Sequence, residues 1–256
     1  SSVILRTSDG GLSWSQISSL PVSSSFNSVH FVTPRIGAVV GGGGAILRTN
    51  DAGATWINQT NSAYGLPLQD VHFTTPPIGL AVGFLGTVLR TVNGGSTWSK
   101  INAGTVETLN GVAFADSVHA VIVGAKARIL RSVDRGENWS PVSVTGLPAT
   151  TALEQVFFAS PQVGFIVGSG GCILRSEDGG ATWRLLGSPT ANNLNAVCFL
   201  DLHTGSAVGD NGTVLKTVDG GLPVELTAFS ARYAAAEGAV HLLWRTATES
   251  RNYGFY

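Results

Sequence analysis

A chain of 256 residues carries 15 Lys and Arg against 16 Asp and Glu, a net charge of −1, with charged residues at only 12% and hydrophobic ones at 43%. That is enough to bury a large core, and the lack of any basic stripe or polybasic run argues against a nucleic-acid partner. No apolar run approaches the roughly 18 residues of a membrane-spanning helix, and 33 glycines suit many short strands joined by tight turns.

The chain has no Met and no signal peptide, begins inside a repeat and stops inside what reads as another domain, so it is expected to be a piece of a longer, processed protein. Cys172 and Cys198 have neither metal-type spacing nor a neighbouring His that repeats. A disulfide between them and a pair of buried free thiols both fit, and the thiols are the simpler reading. No metal or cofactor is expected.

In chain order, one eleven-residue stretch is rewritten at Ile4–Trp14, Ile46–Trp56, Val88–Trp98, Ile129–Trp139 and Ile173–Trp183, and a sixth copy, from Val214 to Gly221, lacks its Trp. Aligning the copies extends the match upstream: Val29–Trp56, Val71–Trp98, Val112–Trp139 and Val156–Trp183 each span 28 residues without a gap. Each opens Val-x-Phe, and Val197/Phe199 opens a fifth. Gly37, Gly79, Gly164 and Gly205 follow, with Ala120 as the exception, and then Gly41, Gly83, Gly124, Gly168 and Gly209 in every copy. The Val-x-Phe alternation, the short apolar run before the second Gly, the Ile-Leu-Arg-Thr run and the residues around each Trp read as four strands. Four strands per roughly 42 residues, with turns between them and no helical periodicity, specify the blade of an all-β propeller.

Four blades are expected to be complete (about 26–60, 68–103, 108–143 and 153–187), with a partial blade at each end of a 1–221 propeller domain. The N-terminal piece would supply a third and fourth strand, the C-terminal piece a first, second and third. The overlap implies six or seven blades in the intact protein, closed by residues upstream of Ser1. All length variation lies between one Trp and the next Val. Those loops and the second-to-third strand turns should share one face of the disc, where such scaffolds carry function. From Leu222 the pattern stops, and alternating stretches at Leu222–Phe229, Val240–Glu249 and Asn252–Tyr256 read as a truncated sandwich-like domain over 222–256.

The Ser/Thr-x-Asp-x-Gly-x-Thr-Trp segments are identified as Asp-box (BNR) repeats, with Asp9, Asp51, Asn93, Asp134, Asp178 and Asp219 at the Asp position and Trp14, Trp56, Trp98, Trp139 and Trp183 closing them. An Asp there can accept backbone N–H groups within the turn, and the Trp would cover the turn and pack between blades. The resemblance makes these residues structural. Arg6, Arg48, Arg90, Arg131, Arg175 and Lys216 stand once per copy and are candidates for a cationic ring, the simpler reading being an Arg paired with a carboxylate or stacked on its own Trp. Asn27, Gln69, Asn110, Glu154 and Asn195 form a second ring entering the innermost strand, near the channel mouth where propellers often bind ligands, although hydrogen bonding to loop backbone is the more frequent role of such residues. Tyr64 and Phe84 join them as candidates on the loop face.

The full repeats resemble the photosystem II assembly and stability factor family over about residues 1–221, more than they resemble sialidases or xyloglucanases. That resemblance implies a non-enzymatic, protein-binding propeller. The tail, Leu222 to Phe255, resembles a linker and sandwich module of secreted, surface-attached bacterial proteins that precedes a type IX sorting domain. It implies an extracellular or cell-surface location, with a periplasmic one as the alternative.

An enzyme is the rival reading. A glycosidase needs two carboxylates at fixed separation, and the propeller offers Asp70, Glu107, Asp116, Glu137, Glu154, Glu177, Asp201 and Asp210 at non-equivalent places, with Asp70, Glu107 and Glu154 foremost. A sialidase would also need a Tyr nucleophile and three clustered arginines, whereas the arginines here fall one per blade. His30 and His72 occupy equivalent strand positions, and lone strand histidines are usually packed or solvated. The expectation is therefore a non-catalytic secreted or surface propeller that binds a protein or a surface glycan, or self-associates. A glycan-degrading enzyme comes second and a photosystem assembly factor third.

Overall fold

The computed structural model describes residues 2–61, 64–74 and 77–220 with their side chains, and the backbone of 224–234 and 239–246. Four antiparallel four-stranded sheets follow one another along the chain. Blade 1 is β3 (Phe26–Phe31), β4 (Gly37–Gly41), β5 (Ile46–Thr49) and β6 (Ile57–Asn58). Blade 2 is β7 (Leu68–Phe73) to β10 (Ser99–Asn102), blade 3 is β11 (Leu109–Phe114) to β14 (Ser140–Pro141), and blade 4 is β15 (Leu153–Phe158) to β18 (Arg184–Leu185). A hairpin of β1 (Leu5–Arg6) and β2 (Ser15–Gln16) precedes them. The first strands β3, β7, β11, β15 and β19 (Leu194–Phe199) lie side by side as the inner ring, and the chain is a β-propeller of Asp-box blades.

At the C-terminal end the structure departs from the expectation of three strands. β19, β20 (Gly205–Gly209) and β21 (Val214–Thr217) are joined by β22 (Val224–Ala234). Val224 pairs with Lys216 and Glu225 with Leu215, the register that Ile57 and Asn58 take against Arg48 and Leu47. The fourth strand of a blade needs only two extended residues beside the third, so losing the Trp does not abolish it. The backbone then runs on into an antiparallel pair with β23 (Ala239–Thr246). The Asn252–Tyr256 strand expected of the tail lies outside the described residues.

Every inner strand carries a bulge at the same place, with register shifts at Phe26/Ser28, Leu68/Asp70, Leu109/Gly111, Leu153/Gln155 and Leu194/Ala196. The invariant glycine of the second strand stands opposite it. A Cβ on Gly41, Gly83, Gly124, Gly168 or Gly209 would lie 1.9–2.2 Å from the carbonyl oxygen just before the inner strand. The backbone there is extended, so close approach, not a left-handed φ, demands glycine. Gly37, Gly79, Gly164 and Gly205 make room for the Phe of their own blade. In blade 3 Ala120 replaces that glycine, and the edge contact seen for Phe31–Trp56, Phe73–Trp98 and Phe158–Trp183 has no counterpart among the described rings.

The core is a series of blade-to-blade interfaces. Ala38, Val40 and Ile46 of blade 1 pack on Leu68, Val71, Phe73 and Trp98 of blade 2, and the pattern repeats along the ring. The flank of blade 1 that faces the N-terminal hairpin is different. Beside β1 a groove of about 450 Å³ is lined by Val3, Leu5, Trp14, Val29 and Phe31. Val29 is 57% exposed there and its blade-2 equivalent Val71 only 2%. Cys198 likewise is exposed on β19, not buried as expected, because among the described residues no blade covers the far flank; Cys172 is buried, and both thiols are free.

Candidate functional site

Each inner strand is the end strand of its sheet, and side chains of the preceding blade bond to its free edge. The bulged residue is the one expected to ring the channel mouth, and in blades 1 and 3 its side chain reaches the next blade. Asn27 Nδ2 donates to the Leu68 carbonyl (2.8 Å) and to Gln69 Oε1 (2.9 Å), and Asn110 Nδ2 donates to the Leu153 carbonyl (3.0 Å). Asn195 Nδ2 instead donates to Asp210 Oδ1 (2.8 Å). The next residue along adds to the seam. The Ser28 hydroxyl donates to Asp70 Oδ1 (2.6 Å), Asp70 Oδ2 accepts the Val112 N–H (3.0 Å), and Gln155 Oε1 accepts the Val197 N–H (2.6 Å). Two positions further, His30 and His72 accept the N–H groups of Phe73 and Phe114 on their Nδ1 atoms. Most of the amide ring is thus engaged in holding inner strands together.

The arginines are likewise engaged, but not as expected. Arg6, Arg48, Arg90 and Arg131 each donate Nε–H to a backbone carbonyl in the next blade's Asp-box, those of Ala52, Gly94, Arg135 and Gly179, at 2.6–3.1 Å. A guanidinium suits this because it reaches across a blade and stays charged and donating at every relevant pH. Among the described residues, Arg90 pairs with Glu137 (3.0 Å) and Arg175 with Glu177 (2.7 Å). Drawn to Glu177, Arg175 leaves its buried Nε without a partner.

The boxes are closed hydrogen-bond sets. Thr49 Oγ1 donates to Asp51 Oδ1 (2.8 Å) and accepts the Gly53 N–H (2.9 Å), while Asp51 accepts the Thr55 hydroxyl (2.6 Å) and N–H (2.9 Å). Those Thr55 bonds hold the Asp51 carboxyl down at about 2. The same set recurs around Asp9, Asp134 and Asp178, and Thr217 donates to Asp219. The Trp56, Trp98 and Trp183 rings cover the box glycines, Trp139 is partly buried against blade 3, and Trp14 is exposed beside the groove.

The carboxylates outside the boxes are also largely committed. Asp70 accepts three hydrogen bonds, and burial, outweighing them, raises its carboxyl. Asp116 and Asp201 each accept two backbone N–H groups in their turns, Glu107 pairs with Lys126 (3.0 Å), and Asp210 accepts from Asn193 and Asn195. Glu154 is the exception: no hydrogen bond or ion pair reaches it from the described residues. Burial, and then the Asp210 charge, push its carboxyl above the usual range. Where Asn27 and Asn110 donate to the next inner strand, an ionised Glu154 cannot. Among the described residues no three His, Cys, Asp or Glu side chains are placed to hold a metal ion.

On the loop face, Tyr64 packs against the core between blades 1 and 2. Phe84 sits at the tip of the blade 2 turn with Leu85, which is 60% exposed and held at φ 51°, ψ 43°. The equivalent left-handed positions are Gly43 and Gly170 in blades 1 and 4, polar Lys126 in blade 3 and Asn211 before β21, so Leu85 is the apolar member of the set. The Gly86 N–H donates to the Glu107 carbonyl (2.9 Å), which brings exposed Val106 beside the tip.

The family model described as photosynthesis system II assembly factor YCF48 matches residues 8–102, 65–145 and 96–187, well over half of the 256. The chain belongs to that family. No curated protein matches it by sequence. Among solved structures it is similar to YCF48 from Cyanidioschyzon merolae (22% identity, TM-score 0.66, 84% of this chain and 74% of that one). It is also similar to an ancestral GH74 enzyme (12%, 0.66, 90% and 39%) and to the GH74 xyloglucanase from Xanthomonas campestris (16%, 0.62, 91% and 39%). At these identities the likenesses show the propeller fold alone. Within this YCF48-family chain, sequence reasoning located the two rings but missed Ser28, Gln155, Leu85 and Val106. The signal that could have found Leu85 is its alignment with Gly43 and Gly170.

Proposed function

We propose that this propeller is a non-catalytic protein-binding module that works at the cell surface or outside the cell and engages its partner through the loop face at blade 2. The observation that carries the reading is Leu85: a bulky side chain kept exposed in a left-handed conformation that costs roughly 1 kcal/mol or more. Phe84 and Val106 enlarge it into an apolar tip, the kind of feature that marks protein contacts. The assembly-factor name of the family supports a protein partner, and the tail's resemblance to surface-attached modules supports the location. A photo-crosslinker at position 85 in the producing cells should capture a polypeptide, and one at Asn50 on the box face should not. Equal capture from both positions, or none from 85, sinks the proposal.

One observation favours a glycan-degrading alternative: Glu154, biased toward its protonated form, stands near Asp210, whose hydrogen bonds from Asn195 and Asn193 lower its carboxyl. Opposed shifts of this kind suit a general acid and a base. Hydrolysis of a β-glucan that is lost in Glu154→Gln would establish that reading over binding.

A further inference from the structure

His30 on β3 and His72 on β7 hold the same repeat position on adjacent inner strands, with ring centroids 4.2 Å apart. His30 Nδ1 accepts the Phe73 N–H (3.3 Å) and His72 Nδ1 the Phe114 N–H (3.5 Å). An imidazole can accept only on an unprotonated nitrogen, so both rings must be neutral for the bonds to exist. A proton on Nδ1 would set a donor against a donor and place two cations 4.2 Å apart in a mostly buried seam. The equivalent residues of the other inner strands are Ala113, Phe157 and Cys198, so the chemistry is confined to blades 1–3.

We propose that this histidine pair is an acid-released latch: neutral, it fastens the inner strands of blades 1, 2 and 3, and protonation in mild acid lets that seam open while the seams from blade 3 onward stay closed. Burial supports the latch. It lowers His30, and with the His30 charge it lowers His72 to about 3, while opened strands take the proton near the ordinary value of about 6.5. With folded values below the open ones, the fastening is full above about 6.5 and weakens as pH falls toward about 3. The rings packed on the pair are those of Phe73 and Phe114; Ser28 and Asp70 lie two residues back on the same strands, and β11 contributes uncharged Ala113. Asp70 acts in the opposite sense. Its carboxyl is raised, so its own contribution is greatest in acid and lost as pH rises.

The test is native-state hydrogen exchange on the full chain, following the Phe73, Phe114 and Val197 amides from pH 7.5 to 5.5. After correction for intrinsic rates, protection at Phe73 and Phe114 should fall about tenfold for each histidine freed and about a hundredfold where opening frees both. Val197, held by Gln155, should stay within about threefold. The response should grow in Asp70→Asn and vanish in His30→Asn/His72→Asn, whose amide oxygens can still accept. Phe73 and Phe114 tracking Val197 would overturn the latch, as would a double variant with unchanged pH response. If the double variant does not fold, titration of the two imidazole Cε1–H signals in the wild-type chain decides: values well below 6 support the latch, and values near 6.5 overturn it.

Discussion

Between blades 1 and 3 the inner strands are joined by Asn27, Asp70 and two histidines bonding to the next strand's backbone, whereas between blades 4 and 5 the matching histidine position holds Phe157 and the side-chain bond is that of the uncharged amide Gln155 to Val197. There the seam is filled by rings, with Phe165 stacked on Phe199 at 3.9 Å and Phe157 at 6.3 Å from Phe199. The backbone is the same in both halves, down to the bulge, so one scaffold accepts two ways of closing. A seam fastened by histidines depends on protonation, while one fastened by an amide and filled by rings depends on volume. The first can respond to pH, and the second should not.

The largest effect should come from emptying the ring-filled half. Phe165 is 2% exposed, and Phe165→Ala removes its stack with Phe199 and leaves a cavity, for a loss of about 3–5 kcal/mol. Urea unfolding at pH 7.5 and 5.5 should give the same loss at both. A loss that differed by more than about 1 kcal/mol between the two, or stayed under about 2 at both, would erase the distinction between the halves.

The blades were legible in the sequence because the repeat writes each strand and turn several times over, so a misjudged residue in one copy is corrected by the others. What escaped was anything requiring a partner from another blade. The regular spacing of Arg48 and Arg90 was plain, but their acceptors, the Gly94 and Arg135 carbonyls, lie 45–46 residues away. The inner bulge was invisible because its signature is geometric: an invariant Gly83 facing the Pro67 carbonyl across a strand pair. Val224 as a fourth strand escaped for the opposite reason. The box motif had decayed around it, while two-residue backbone pairing asks almost nothing of the side chains.

A smaller effect of opposite sign is expected at Glu154, where a carboxylate interrupts the amide ring. Glu154→Gln supplies the N–H that Asn27 and Asn110 have and removes the repulsion from Asp210. A gain of about 1 kcal/mol at pH 7 is expected from the added hydrogen bond. Because the folded carboxyl is raised, wild-type stability from this group is present below the ordinary Glu value of about 4.3 and lost as pH rises, so the advantage of Gln should fade in acid. A destabilised variant would mean that Glu154 has a partner contact of its own.

The smallest effect separates the box of blade 2 (box 2, with Asn93) from the others, among them that of blade 1 (box 1, with Asp51). Asn93 Nδ2 donates to Thr97 Oγ1 (2.8 Å), reversing the bond in which Thr55 Oγ1 donates to Asp51 Oδ2 (2.6 Å). Box 2 is therefore as complete as box 1 at neutral pH but carries no charge to titrate. Asn93→Asp should restore the acceptor set, turn the Thr97 hydroxyl round and hold the new carboxyl low, as Asp51 is held at about 2. A depressed folded value gives stability that is present above about 4 and is lost as pH falls toward about 2. The thermal midpoint of Asn93→Asp should then lie slightly above wild type at pH 7 and merge with it as pH drops through that window. A midpoint below wild type at pH 7 would mean that the Asn93–Thr97 bond holds box 2 better than a charged acceptor does. The box would then owe its strength to the geometry of its donors and not to the carboxylate.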